Sequence, residues 1–415
     1  MSGPSRADVD AVLTEFRPGR SIYIQGGVGE PMALREILQA SPDVLDGVKI
    51  TSCLLPGMNE FDYAALHERA SLTTFMLPAA MRDSFVAGRV VVRPMTYSQI
   101  AAYLSDQTFD LAIFQVSTPD EAGWCGFGPC ADFPGLVVER ARRRMAFVNS
   151  RLPRVSRGPR VRLGAMDVVI EAPGPFITAR DQAPGAEVQA IAALVAEHVP
   201  DKAAIQTGIG AVPAAAIARL NHHVGLTVRS GMVTPGYEDL ERAGAFKEGA
   251  AHITGMAIGP EAFMHWASGA FTFADALTTH GAEGLAATPR FTAINSALEI
   301  DLFGQVNLEW RDGRLFGGVG GAPDFARAAR RSVGGRAILA FPSIARNGAV
   351  SRIVSRLAGP TISLARDDAD LIITEHGVAD LRGADLDRRA ERLIAIAAPA
   401  HREGLARAWR VMQPF

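Results

Sequence analysis

Four glycines in five residues, Gly317-Gly-Val-Gly-Gly321, precede Ala322-Pro-Asp-Phe325 and an Arg/Ala-rich helical stretch. A run so rich in glycine loses much conformational freedom on folding and is kept where backbone must approach a ligand or another strand. A second tract, Gln206-Thr-Gly-Ile-Gly-Ala-Val-Pro213, joins a strand pattern to a helix start. Gly208 and Gly210 let its backbone approach a phosphate, a carboxylate or a thioester oxygen at a helix N-terminus. A tight strand–helix turn is the plainer reading, and both readings hold equally for Gly26-Gly-Val-Gly29. Neither tract completes the dinucleotide fingerprint. Glu375 follows the apolar run Leu371-Ile-Ile373 and so stands at a strand end, where α/β folds place ligand chemistry.

The elements that must position these residues alternate short apolar runs with longer helical ones, the pattern of a parallel α/β sheet. Ser21–Ile24, Val48–Leu55, Val90–Arg93, Leu111–Val116 and Val168–Ile170 read as strands, with a helix beginning near Pro31. The Pro/Gly-rich passage from Ala172 to Gly185 marks a domain boundary, which divides the chain into residues 1–183 and 184–415. Beyond it, Val188, Ile191, Leu194 and Val195 share one helical face, Ala203–Gln206 reads as a strand, and a helix starts near Pro213. Each half opens on a strand, a glycine turn and a helix, so the expectation is two similar α/β domains in tandem.

The chain has 415 residues, 48% hydrophobic and 21% charged, enough apolar content for two cores. A formal net charge of −2 argues against a nucleic-acid footprint, and Arg142-Arg-Arg144 reads as the solvated end of a helix. The N-terminus lacks a signal peptide's apolar region and no stretch is long enough for a membrane span, so a cytoplasmic protein is expected. Three cysteines, Cys53, Cys125 and Cys130, fit a reducing compartment and read as core or loop thiols. His252, His265 and His280 have no metal spacing and read as surface or core residues, and His222-His223 lies at a helix end; no metal is expected.

The tracts Gln206–Pro213, Ile294-Asn-Ser-Ala-Leu-Glu-Ile-Asp301, Gly317–Phe325 and Thr374-Glu-His-Gly-Val-Ala-Asp-Leu-Arg-Gly383 resemble the acetyl-CoA hydrolase/transferase family, which includes 4-hydroxybutyrate CoA-transferases. The loop Phe114–Gly123 is similar to one that walls the family's site. The resemblance implies two open α/β domains of the family I CoA-transferase type, the C-terminal one carrying most of the active site. It also implies a homodimer, and coenzyme A as cosubstrate without a covalently bound cofactor. It assigns the oxyanion to the backbone of Gly320 and Gly321, and arrangement of the site to Asn295 and Glu375. It further offers Gly208, Gly210 and Gly318 as cofactor contacts, and Arg346 and Arg352 as partners for CoA phosphates. Glu299 and Asp301 read equally as internal hydrogen-bonding residues, and Asp380 with Arg382 as a charged pair tying a turn.

Two departures stand out against this family. Related transferases read roughly His-Thr-Glu-Met where this chain has Arg229-Ser-Gly-Met232, so Gly231 occupies the position of the catalytic glutamate. Covalent catalysis through an acyl–glutamyl anhydride and a glutamyl–CoA thioester needs a carboxylate that glycine lacks. Residues 281–289, Gly-Ala-Glu-Gly-Leu-Ala-Ala-Thr-Pro, are shorter and less aromatic than the family's stretch, which shapes the acyl pocket or CoA contacts. Three readings remain open. The thioester is passed to water or another non-carboxylate acceptor, with Glu375 or His376 as general base. Alternatively, a nucleophile such as Ser230, Glu238 or Glu241 has been recruited. Or the protein binds an acyl-CoA, or serves as a partner subunit, without chemistry.

Overall fold

A computed structural model describes residues 5–179, 185–346 and 348–412. Its contacts gather into two compact units. The first comprises Met1–Arg180, Ile253–Thr279 and Phe316–Gly318, and the second Asp181–His252, His280–Leu315 and Val319–Phe415. The single cut expected at 183/184 falls outside the described residues. The grouping of 253–279 and 316–318 with the first unit has no counterpart in a single cut.

In the first unit β1 (Ser21–Ile24), β2 (Lys49–Thr51), β3 (Ser71–Thr74), β4 (Val90–Val92), β5 (Leu111–Val116), β6 (Arg144–Val148) and β7 (Val168–Glu171) form one sheet. Its order is β4-β3-β2-β1-β5-β6-β7, and every pairing is parallel. All six residues of β5 are buried, the mark of a central parallel strand covered on both faces. Tyr23, Phe114 and Phe147 are fully buried in this core. The strand expected over Val48–Leu55 is shorter, ending at Thr51.

Arg142–Arg144 is not a helix face. Arg144 opens β6, Arg143 pairs with Glu15 at 2.8 Å and Arg142 approaches Asp110 at 3.5 Å. The three cysteines are free and buried, and burial raises the Cys125 thiol to about 11.

The second unit contains β8 (Ala204–Thr207), β9 (Thr227–Val233), β10 (Phe291–Asn295), β11 (Arg336–Ala340), β12 (Leu371–Thr374) and β13 (Gly377–Asp380). They lie in the order β9-β8-β10-β11-β12-β13, parallel except for the antiparallel β12–β13 hairpin. Phe291, Phe325, Phe341 and Leu393 anchor its apolar core. In both sheets the first strand is central: β1 lies between β2 and β5, and β8 between β9 and β10. Chain direction across the sheet reverses at that strand, and the crevice beyond its C-terminal end is where open α/β sheets bind ligands. Among the described residues no helix is long and apolar enough to cross a membrane.

Candidate active site

Strand register brings the predicted residues into one row. In the second unit Ala204↔Thr227 and Ile205↔Val228 pair β8 with β9, while Thr207↔Ile294 pairs β8 with β10. Carried one step past β8, these registers set Gly208 between Gly231 and Asn295. Gly208 N donates to Ile294 O at 2.9 Å, which holds that step. A Cβ on Gly208 would lie 2.5 Å from Asn295 Oδ1, so glycine is needed there for the amide to lie across the turn. Asn295 and Gln206 exchange amide hydrogen bonds of 3.0 and 3.3 Å, and both side chains are buried. Gly210 caps the helix Ala211–Ala218, whose N-terminus presents its free N–H groups at this edge.

His280 completes the row, although sequence reasoning set it aside as a core or surface residue. Its side chain is 3% exposed and its ring lies against Phe325 with centroids 4.5 Å apart. A Cβ built on Gly231 would stand 2.6 Å from His280 Cε1 and 2.9 Å from Nε2. A Cβ on Gly321 would stand 2.5 Å from the same Nε2. The imidazole edge therefore fills the space where side chains at both positions would begin. Gly231, Gly320 and Gly321 are partly exposed above it. Burial pushes the imidazole down to about 3, so it is uncharged at neutral pH. Gly321 precedes the helix Ala322–Arg331, whose N-terminal dipole favours negative charge at this point. The only hint in the sequence was that His280 immediately precedes the residues 281–289 that depart from the family pattern.

Ser230, the neighbour of Gly231, is fully buried. Its hydroxyl donates to Met232 O at 2.6 Å and accepts from Thr207 N at 3.3 Å, so it ties β9 to β8. Glu238 is paired with Arg242 one helical turn on. Both groups are thus engaged by partners within the second unit.

Glu375 belongs to a separate cluster. It lies beyond β12, two strands along from Asn295, a lateral separation of about 10 Å. Ser343 grips its carboxylate with its hydroxyl and with its backbone N–H at 2.8 Å. His376 Nε2 lies 3.3 Å from Glu375 Oε1. Burial acts to raise the Glu375 carboxyl, but the Ser343 hydrogen bonds and His376 outweigh it and hold it below the usual range. Glu187, in the first turn of the helix Ala186–Glu197, is raised instead, by burial and by the adjacent Glu375 charge. Arg352 faces both carboxylates, and burial lowers its guanidinium. Glu187 joins this cluster with no signal in the sequence.

Other expected contacts have structural partners. Arg346 is exposed and pairs with Asp312 at 2.5 Å. A Cβ on Gly318 would lie 2.5 Å from Phe75 O, and Gly317 O accepts from Leu77 N at 2.8 Å, so this part of the glycine run packs against backbone of the first unit. Asp301 accepts from Phe303 N and Gln305 N, Glu299 accepts from Asn307 at 2.8 Å, and Arg382 pairs with Asp380 at 2.7 Å. The first unit has a cleft of about 150 Å³ beside Gln115, Asn149 and Pro173, Gln115 being part of the segment Phe114–Gly123. Among the described residues no group of three His, Cys, Asp or Glu side chains is arranged to hold a metal ion.

Residues 7–175 match the N-terminal domain of the acetyl-CoA hydrolase/transferase family, and residues 259–409 match its C-terminal domain. The chain is 30% identical over 392 residues to the 4-hydroxybutyrate coenzyme A transferase of Clostridium kluyveri, covering 91% of each chain. Its fold is similar to that of the protein RipA from Yersinia pestis, with a TM-score of 0.91 and 26% identity, over 98% of this chain and 97% of that one. It is also similar to a 4-hydroxybutyrate CoA-transferase from Porphyromonas gingivalis, with a TM-score of 0.80 and 26% identity, over 97% and 96% of the two chains.

Proposed function

Because the chain belongs to the acetyl-CoA hydrolase/transferase family, we propose that it acts on the thioester of an acyl-CoA without a glutamyl–CoA intermediate. The acyl group passes to water or to another acceptor that is not a carboxylate. One observation carries this reading: the space in which a carboxylate at residue 231 would begin is filled by the His280 ring. In this reading the thioester carbonyl lies over Gly320 and Gly321, whose backbone N–H groups and following helix N-terminus stabilise the charge that develops on its oxygen. Asn295, fixed by Gln206, orients the acyl end, and the turn at Gly208 and Gly210 receives an anionic or carbonyl group of the coenzyme. The Ser343–Glu375–Glu187 cluster with Arg352 binds a more distant part of the ligand and is not the base that activates the acceptor. A recruited serine is disfavoured because the Ser230 hydroxyl is buried and tied to Met232 and Thr207. A cytoplasmic homodimer goes with this reading, and light scattering after size-exclusion chromatography tests the dimer.

The chemistry is tested by incubating the protein with acetyl-, butyryl- and succinyl-CoA in the presence of a thiol reagent. Thiol release without added acid is expected. Exchange that appears only with an added carboxylate, together with a borohydride-trapped acyl-enzyme, overturns the proposal in favour of a transferase. Binding without turnover overturns it in favour of a binding protein.

A further inference from the structure

We propose that the cleft beside Gln115 in the first unit binds a small molecule presenting a carboxyl or carboxamide oxygen on a short apolar chain. Every residue lining the cleft belongs to the first unit, so the site stands or falls independently of the thioester reading above. Three observations carry it. The first is place. The strands of this sheet run parallel, so β1, β5, β6 and β7 all end at one edge, and the cleft lies there. Gln115 and Phe147 are paired residues, each next to the last of its strand, β5 and β6. Asn149 follows β6, Pro173 follows β7, and Pro31 and Met32 open the helix that follows β1. Strand order reverses between β1 and β5, and open α/β sheets bind ligands beyond the carboxyl ends of their strands at such a point.

The second observation is a donor without a partner. Asn149 Oδ1 accepts from the backbone N–H groups of Arg151 at 3.0 Å and Gly174 at 3.2 Å. That fixes which end of the Asn149 amide is nitrogen, and Nδ2 donates to Gln115 Oε1 at 2.9 Å and to Gly174 O at 3.1 Å. The Gln115 amide is fixed in turn, with its oxygen on Asn149 and Nε2 left as the other end. Nε2 is buried and has no hydrogen-bond partner among the described residues, in a side chain that is 3% exposed and lines the cleft. Leaving a buried donor unpaired is costly, and folded proteins keep few such groups. A carbonyl oxygen seated in the cleft satisfies it.

The third observation is the complementarity of the remaining wall. The helix Met32–Ala40 begins at the cleft with no side chain capping it, so its first N–H groups and the positive end of its dipole lie here. Met32, Phe147 and Pro173 supply apolar surface for a short hydrocarbon chain, and the exposed carboxylate of Glu36 offers an acceptor to the N–H groups of a carboxamide. The volume is about 150 Å³. A cavity of that size takes a ligand of roughly six non-hydrogen atoms, as benzene is.

The test uses the full chain, with butyramide and butyrate as probes, saturation-transfer NMR to detect binding, and protein labelled with ¹⁵N in its glutamine side chains. At least one probe is expected to bind, with a Kd on the order of 1 mM for so small a ligand. Binding of butyramide alone supports a neutral amide with Glu36 as acceptor, and binding of butyrate supports a carboxyl group. In the wild type the Gln115 Nε2 protons, identified by their contact with the Asn149 side-chain amide, should shift and exchange more slowly with water when the probe is bound. Gln115→Glu keeps an oxygen for Asn149 Nδ2 but removes the donor, and should weaken binding about 10-fold. Ala33→Leu fills the cleft without touching Gln115, and should abolish binding. Failure of both probes to bind overturns the proposal. So does a bound probe that leaves the Gln115 resonance unmoved, or an affinity unchanged in both variants, since either places the probe elsewhere.

Discussion

Placing a carboxylate at residue 231 by Gly231→Glu alone is expected to give no carboxylate-dependent exchange, and the structure sets the scale of the failure. The new Cβ would stand 2.6 Å from His280 Cε1 and 2.9 Å from Nε2, well inside van der Waals contact. The imidazole cannot swing aside cheaply, because it is buried and packed on Phe325. Forcing extra atoms into such a packed site costs about 1–3 kcal/mol. The Glu carboxylate would also be pressed toward a buried group, which adds to the penalty. The backbone at residue 231 is not the obstacle, since its φ is not among the positive values of this chain. Removing the ring is therefore the remedy: Gly231→Glu combined with His280→Ala should cost less than the sum of the two single changes. Contacting residues couple by roughly 0.5–3 kcal/mol, and this pair should lie in the upper half of that range. Urea denaturation of the four proteins measures the coupling. The same four are assayed for carboxylate-dependent CoA exchange and for borohydride trapping at residue 231, which only the double variant should show. Additive stabilities, or exchange by Gly231→Glu alone at wild-type stability, would refute the placement of His280 in the missing side chain's space.

Three further outcomes follow from the same geometry. The unfolded His280 takes up its proton near pH 6.5 and the folded one near 3, so below 6.5 the unfolded chain binds more protons and stability falls with pH. The loss should reach roughly 4 kcal/mol by pH 3 and vanish above about pH 6.5, and denaturation curves for His280→Gln should lack this contribution. Gly208→Ala would set a methyl 2.5 Å from Asn295 Oδ1 and break its amide pair with Gln206; a stability loss of about 1–3 kcal/mol and reduced turnover are expected by thermal denaturation and thiol-release assay. Ser343→Ala removes one of the hydrogen bonds that hold the Glu375 carboxyl down, so ¹³C NMR should show Glu375 titrating at higher pH than in the wild type, and an unchanged titration would contradict the cluster.

Local pattern carried much of the fold. β1, β5 and the start of β12 were legible because their residues are apolar, short in run and bounded by turn signals. Several others were not, β3 and β6 among them. β3 is Ser-Leu-Thr-Thr, too polar to stand out, and β6 begins at Arg144 inside a basic cluster that suggested a helix end. Their neighbours in the sheet, and not their own composition, make them strands. The gathering of Ile253–Thr279 into the first unit was equally hidden, because chain order alone gives no measure of spatial neighbourhood.

What the sequence by itself determined was the tandem α/β architecture, the glycine tracts that end strands and begin helices, and the lack of a carboxylate at residue 231. These are properties of residue type and short-range spacing, which act through backbone conformation and need no distant partner. Only the tertiary structure decided how the candidate residues divide. Parallel register drew Gly231, Gly208 and Asn295 into one row, while the two intervening strand spacings kept Glu375 and His376 apart from it. Packing then lodged His280, remote in sequence from both Gly231 and Gly321, against the two positions where neither residue has a side chain. A void beside two glycines is created by long-range packing and must be filled by whatever the fold brings there, and no local pattern specifies that it is an imidazole.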